Sequence, residues 1–307
     1  MHRYVLLMTA FTSILVGAGT VGQAPAPADV DQWMARYKVA GGEYAKVFRN
    51  LVAEETKVIE TFDSSDRLQK RREIVSDLLV YQSSRNAGEQ TTELRDVRSV
   101  DGKPVNNRDK LILDLIRQAG KTDSVEREIE RIELEGLRYD GDCSVYNSTI
   151  YPQSFAFRDH FRFEWVGRDR IGDNDVVIID FHEDGPSMLT MPSEYNQMGI
   201  SAIFARGRLW IDATTFQLRQ ERAEIAGIHP AEAEPLTMMR LQRENINADN
   251  SLGILTPKRI VIDHFIPRKT QKNQPPAFGG VCRTTLTYGA FHRFDVTTEQ
   301  TISPPAR

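Results

Sequence analysis

The densest group of side chains able to do chemistry is Asp180, His182, Glu183 and Asp184. A carboxylate beside an imidazole raises the histidine pKa, so the two can share a proton or, with a further carboxylate, bind a metal. Strand alternation puts Asp180, His182 and Asp184 on one face, which is one requirement of a metal-dependent hydrolase. The same residues also read as a solvated strand face running into the Asp184-Gly185-Pro186 turn. His160, His182, His229, His264 and His292 never recur at the i,i+4 spacing of a zinc helix, and neither cysteine sits in a Cys-x-x-Cys pair. Gly199-Ile200-Ser201-Ala202-Ile203 lacks the second glycine of a nucleophile elbow. No glycine-rich phosphate loop with lysine occurs, and nothing points to a cofactor. Asn147-Ser148-Thr149 fits a glycosylation sequon.

The aromatic residues are more suggestive than the acids. Phe161, Phe163, Trp165, Trp210 and Phe265, with Phe291 and Phe294, are spread over several expected strands and can line one concave apolar face of a strongly curved sheet. Such a face accepts a lipid or acyl chain, or is filled by N-terminal helices as an ordinary core. The two cysteines, Cys143 and Cys282, are compatible with one disulfide in an exported chain, and equally with two free thiols.

The elements that would position these groups read as helices first and strands later. Three- and four-residue apolar steps predict helix from Asp29 to about Glu60, broken at Gly41-Gly42. Strands are expected at Arg72–Tyr81 and Thr91–Val100, the second ending in the turn dipeptide Asp101-Gly102. Asn107 and Ser124 can each cap a helix, and the Glu/Arg run from Glu126 to Glu133 reads as a solvated helix face. A short helix to about His160 precedes a strand over Phe161–Gly167, a loop over Arg168–Asn174 and a return strand over Val176–His182. A Met-rich loop then leads to the clearest hairpin of the chain, Gly207–Ile225. There Leu209 and Ile211 point to one face, while Arg208, Trp210 and Asp212 point to the other. The Asp212 carboxylate is placed to fold back on the amides of Thr214 or Thr215. Strands at Leu236–Ile246, Pro257–Ile266 and Val281–Val296 complete an antiparallel meander, and the fold class is α+β.

Residues 1–22 have the layout of a secretory signal peptide: His2 and Arg3, an apolar run from Tyr4 to Val16, then small residues. Residues 23–29 form a Pro/Ala linker, 30–300 a single α+β domain, and 301–307 a disordered tail. The formal charge is −4, and loss of Arg3 with the leader lowers it to −5. Mildly acidic and mixed in sign, the chain is not a general nucleic-acid binder. No later run is long and apolar enough to span a bilayer, so the expected product is soluble, exported and periplasmic or extracellular.

The hairpin also carries a resemblance. Gly207, Leu209, Trp210, Ile211 and Asp212, then Leu218, Arg219 and Glu221, resemble the signature hairpin of the periplasmic lipoprotein-carrier superfamily of LolA-like and LppX-like half-barrels. The segment Arg283–Val296 and the stretch Glu93–Val97 with Val100-Asp101-Gly102 are similar to secreted relatives of that superfamily. The resemblance implies a curved antiparallel sheet, a half-barrel, with helices, mainly N-terminal, packing on its concave side around an apolar cavity. No residue matches a lipoprotein-handling one. The leading expectation is a non-enzymatic protein that binds an apolar, lipid- or lipoprotein-like ligand, or an envelope protein, through that face. The alternatives are a structural or sensory module with a plugged cavity, and a metal-dependent hydrolase using Asp180 and His182.

Overall fold

The computed structural model describes residues 28–48, 51–82, 91–105, 127, 131–132, 134, 136, 138–140, 160–184, 193–230, 232–246, 250–268 and 277–293. Helix α1 (Ala28–Val47) leads into strands β1 (Leu51–Asp63), β2 (Leu68–Gln82), β3 (Thr91–Val100) and the two-residue β4 (Lys103–Pro104). The second run comprises β5 (Phe161–Ile171), β6 (Asn174–Glu183), short helix α2 (Ser193–Gln197), β7 (Ala202–Asp212), β8 (Leu218–Ile228) and β9 (Leu236–Ile246). It continues through β10 (Thr256–Pro267), β11 (Phe278–Tyr288) and β12 (His292–Arg293).

Among the described residues all strands join one 12-stranded antiparallel sheet in the order β4-β3-β2-β1-β11-β10-β9-β8-β7-β6-β5, with β12 added to β1. Two meanders are thus sewn together along β1, whose Glu55–Asp63 pairs with Gly280–Tyr288 of β11 and whose Leu51 and Val52 pair with β12. The sheet is curved and unclosed, as a half-barrel is. Its consecutive hairpins follow from turn residues placed between alternating strands. Asp101 and Gly102 both take positive φ (51° and 75°), the conformation that the β3–β4 turn requires.

One face of the sheet carries the main core. Val30, Met34, Tyr37, Tyr44 and Phe48 of α1 pack with Leu51, Leu78, Val177, Ile179, Leu209, Ile211, Ile260, Ile262 and Leu286. The expected helix break at Gly41-Gly42 is absent: α1 runs through it. Glycine costs a helix roughly 1 kcal/mol per residue, and the buried tyrosines on either side, Tyr37 and Tyr44, offset that by far more than propensity can oppose. Expected helix over Leu51–Glu60 is strand instead. Leu51, Ala53 and Glu55 are buried alternately with less buried Val52 and Glu54, a period of two that the surrounding apolar residues obscured.

Smaller corrections have local causes. The loop expected over Arg168–Asn174 shrinks to a turn at Gly172 and Asp173, because β5 pairs with β6 out to Ile171↔Asn174. The last expected strand divides after Tyr288, and the chain returns so that His292 and Arg293 pair with Val52 and Leu51. Helix α1 begins at Ala28, inside the expected linker. The Met-rich loop contains α2. Arg127, Arg131, Ile132, Leu134, Gly136 and Arg138 are helical, in the stretch where Ser124 was the expected cap. The leader, the tail, the helix capped by Asn107, the segment before His160, Cys143, the Asn147 sequon and Phe294 lie outside the described residues.

Candidate functional site

The signature hairpin explains itself by local bonding. The Asp212 carboxylate accepts the amides of Thr214 (3.0 Å) and Thr215 (2.8 Å), and Arg219 Nε donates to it from the returning strand at 2.6 Å. Burial alone would raise the Asp212 carboxyl, but these donors hold it below the usual carboxylate range. Gly207 is required sterically: a Cβ there would stand 2.2 Å from the Arg222 carbonyl oxygen and 2.6 Å from the Phe181 ring. Phe216 in the turn takes φ 58° and lies 4.8 Å from the Trp33 ring, with Arg36 over its face at 5.0 Å. The turn and α1 are therefore clasped together.

The five candidate aromatic residues do not share one face. Phe161, Phe163 and Trp165 belong to the core under α1, where Trp33 meets Trp165 at 6.1 Å and Phe161 meets Phe181 edge-on at 5.7 Å. Trp210 points away from that core, as its alternation with Leu209 and Ile211 requires, and lies between the guanidinium groups of Arg208 and Arg222 at 6.0 and 5.2 Å. Phe265 packs on Phe278 and under Arg240. A single aromatic wall was expected because sequence does not say on which face each strand's period begins.

The acid cluster is likewise divided. Asp180 accepts a fork from Arg208 (2.6 and 2.9 Å), and Asp184 accepts Arg162 Nε at 2.6 Å. Glu183 turns to the other side and accepts the Ala205 amide at 3.0 Å. Among the described residues no group of three or more His, Cys, Asp or Glu side chains is placed to hold a metal.

What the sequence did not point to is a pocket of about 430 Å³ on the helix-facing side, beyond the reach of α1, between β1, β2 and β10. Ile59 and Ile266 supply apolar wall, and Lys70 and Arg72 supply cations. Beside it Ile59, Ile74, Val97 and Cys282 form a small separate core. Lys57 donates to both oxygens of Asp140 at 2.8 and 2.9 Å, so that carboxylate is already neutralised. Arg72 donates through Nη1 to the Tyr139 carbonyl at 2.9 Å, while its buried Nε has no hydrogen-bond partner. Cys282 is disulfide-bonded. Residues separated by tens of positions meet here, which no local pattern could reveal.

Two buried ion pairs stiffen the same face. Arg95 forks Glu55 at 2.7 and 3.1 Å. Burial would raise Glu55, yet Arg95 holds it below its ordinary value. Glu221, by contrast, faces Arg243 at 3.5 Å, and burial pushes its carboxyl up to about 7 against that pull.

No protein-family model matches the chain, and no curated protein matches it. Among solved structures, a LolA superfamily protein from Nitrosomonas europaea is 14% identical, with 84% of this chain and 94% of that chain covered, at a TM-score of 0.30. A DUF1329 family protein from Desulfovibrio piger is 11% identical, with 86% and 94% covered and a TM-score of 0.32. An outer membrane lipoprotein-sorting protein domain from Vibrio parahaemolyticus is 9% identical, with 88% and 95% covered and a TM-score of 0.34. The curved, unclosed antiparallel sheet is the architecture that the hairpin's resemblance implied.

Proposed function

We propose that this chain is an exported, non-enzymatic protein that binds an apolar ligand, a lipid or acyl chain, on the helix-facing side of its sheet. The pocket between Ile59, Ile266 and Arg72 carries this reading: about 430 Å³ lies within the usual range of small-molecule sites, and apolar wall meets cationic rim there. An acyl chain would lie against Ile59 and Ile266, with Lys70 and Arg72 toward its polar end. In the same proposal residues 1–22 are removed on export, α1 lies on the concave side, and Cys143 pairs with Cys282.

Native mass spectrometry of purified protein tests it. Co-purifying lipid is expected, and Ile266→Trp, which fills the pocket, should remove it while the protein still melts cooperatively. Lipid-free wild-type protein, or lipid retained by the variant, would refute the reading.

A second reading is favoured by one contact. Trp33 of α1 covers Trp165 and reaches Phe216, so the aromatic part of this face is occupied by the protein's own helix. On that reading the cavity is plugged and an envelope partner is met through other surfaces. Loss of partner capture on substitution of outer-face residues, with no lipid bound, would distinguish it.

A further inference from the structure

The face turned away from α1 carries a ladder of alternating charge. Arg206 on β7 stands opposite Glu224 on β8, Glu224 opposite Arg240 on β9, and Arg240 opposite Asp263 on β10. Asp263 then stands opposite Arg283 on β11, Arg283 opposite Glu60 on β1, and Glu60 opposite Arg71 on β2. Opposite charges directly across strands stabilise a sheet, and like charges destabilise it. Bonding follows the pattern: Arg206 Nε donates to Glu224 at 2.8 Å, and Arg283 forks Asp263 at 2.6 and 2.9 Å.

The neighbouring row breaks the rule. Arg208 on β7 stands directly opposite Arg222 on β8, and the next strand offers Gln242 in place of an acid. Asp180 is already forked by Arg208. Glu164 sits on β5, three strands from Arg222 and so about 14 Å away at ordinary strand spacing. Among the described residues Arg222 has no carboxylate partner; its guanidinium lies over Trp210 and is exposed. The pair borders a depression of about 500 Å³ that also takes in Asp180, His182 and Gln242. Two guanidinium groups held across strands, one of them uncompensated, form the geometry that receives paired anionic oxygens.

We propose that Arg222, with Arg208 and Gln242 beside it, binds an oxyanion, the phosphate or carboxylate of a ligand docking on this outer face. The site is independent of the pocket near Ile59 and of the apolar-ligand reading. Its shared chemistry is met by a free phosphate compound or by a lipid headgroup, and the experiment separates them.

Inorganic phosphate is titrated into the full-length protein at low ionic strength while the arginine Nε–H signals are followed by nuclear magnetic resonance. Saturable shifts at Arg222 and Arg208 are expected, with affinity falling about tenfold in Arg222→Gln and unchanged in Arg71→Gln, a ladder position outside the depression. Arg208→Gln serves as the second variant. In parallel, vesicles of phosphatidylglycerol and of phosphatidylcholine are sedimented with the protein. Binding to the anionic vesicles alone, lost in Arg222→Gln, would identify a headgroup as the source. Saturable phosphate binding without vesicle binding would identify a soluble one. Non-saturable shifts equal at Arg71 and Arg222 without vesicle binding, or binding of either probe with unchanged affinity in Arg222→Gln, would overturn the proposal.

Discussion

Glu221 and Arg243 face each other across β8 and β9 at 3.5 Å, both only 2% exposed, in the core that α1 covers. Tyr37 of α1 shares their field: burial and the nearby Glu221 carboxylate push its hydroxyl well above the ordinary range. An acid and a base thus sit where the resemblance implied only apolar surface. Removing such charges from water is costly, and a single imperfectly aligned pair does not recover the whole cost.

The Glu221 carboxyl titrates at about 7, above its ordinary 4.5. Between those values the folded protein holds a proton that the unfolded chain has lost, so stability falls as pH rises through that window. The full drop is on the order of 3 kcal/mol. Chemical denaturation from pH 4.5 to 8 should show it, and Glu221→Gln should flatten that part of the profile. An unchanged slope in the variant would assign the dependence elsewhere.

Glu55 behaves in the opposite sense, because Arg95 forks it and holds its carboxyl low despite complete burial. Its contribution is present above the ordinary carboxylate range and is lost as pH falls through its lowered folded value. Arg95→Gln leaves the carboxylate buried without that fork and should cost about 3–5 kcal/mol at pH 7. Urea midpoints of the wild type, the variant and the double variant Glu55→Gln/Arg95→Gln check this. The double variant should recover part of the loss.

Gly207→Ala places a methyl group 2.2 Å from the Arg222 carbonyl oxygen, a backbone atom that cannot swing aside. Overpacking of this kind costs about 1–3 kcal/mol or more. The melting temperature should fall, and hydrogen exchange should rise first along β7 and β8. Gly42→Ala is the control: a Cβ there meets nothing within 4 Å, and helix propensity should make it neutral or stabilising by up to about 1 kcal/mol.

Trp210→Ala should lower stability by about 3 kcal/mol, since the ring is 8% exposed, yet leave lipid content unchanged, because the ring points away from the core that α1 covers. Lipid extraction followed by mass spectrometry of equal amounts of folded protein compares it with wild type. Loss of lipid in Trp210→Ala would place the ligand on the outer face instead.

Much of the second half was legible because each strand announces itself locally. The β7–β8 hairpin, with Asp212 bonding Thr214 and Thr215, needs only residues within a few positions of one another. The β1 segment was misread because Leu51 and Val52, following the apolar residues of α1, continue a helical spacing. What makes Leu51–Asp63 a strand is pairing with β2 and with β11, the latter more than two hundred residues away in the chain. The same distance hid the pocket: Ile59, Arg72 and Ile266 converge only when β1 joins the last strands.

Sequence by itself determined the antiparallel sheet, most strand positions, the turn role of Asp212 and the opposition of Trp210 to Leu209 and Ile211, since these depend on short-range geometry and a period of two. Tertiary structure alone decided that Trp210 and Phe265 part company with Phe161, Phe163 and Trp165, that Glu221 meets Arg243, and that Arg208 stands opposite Arg222. Register between strands is set by how many residues each turn and bulge consumes and by which faces can be buried together, and those conditions are met over the whole sheet at once.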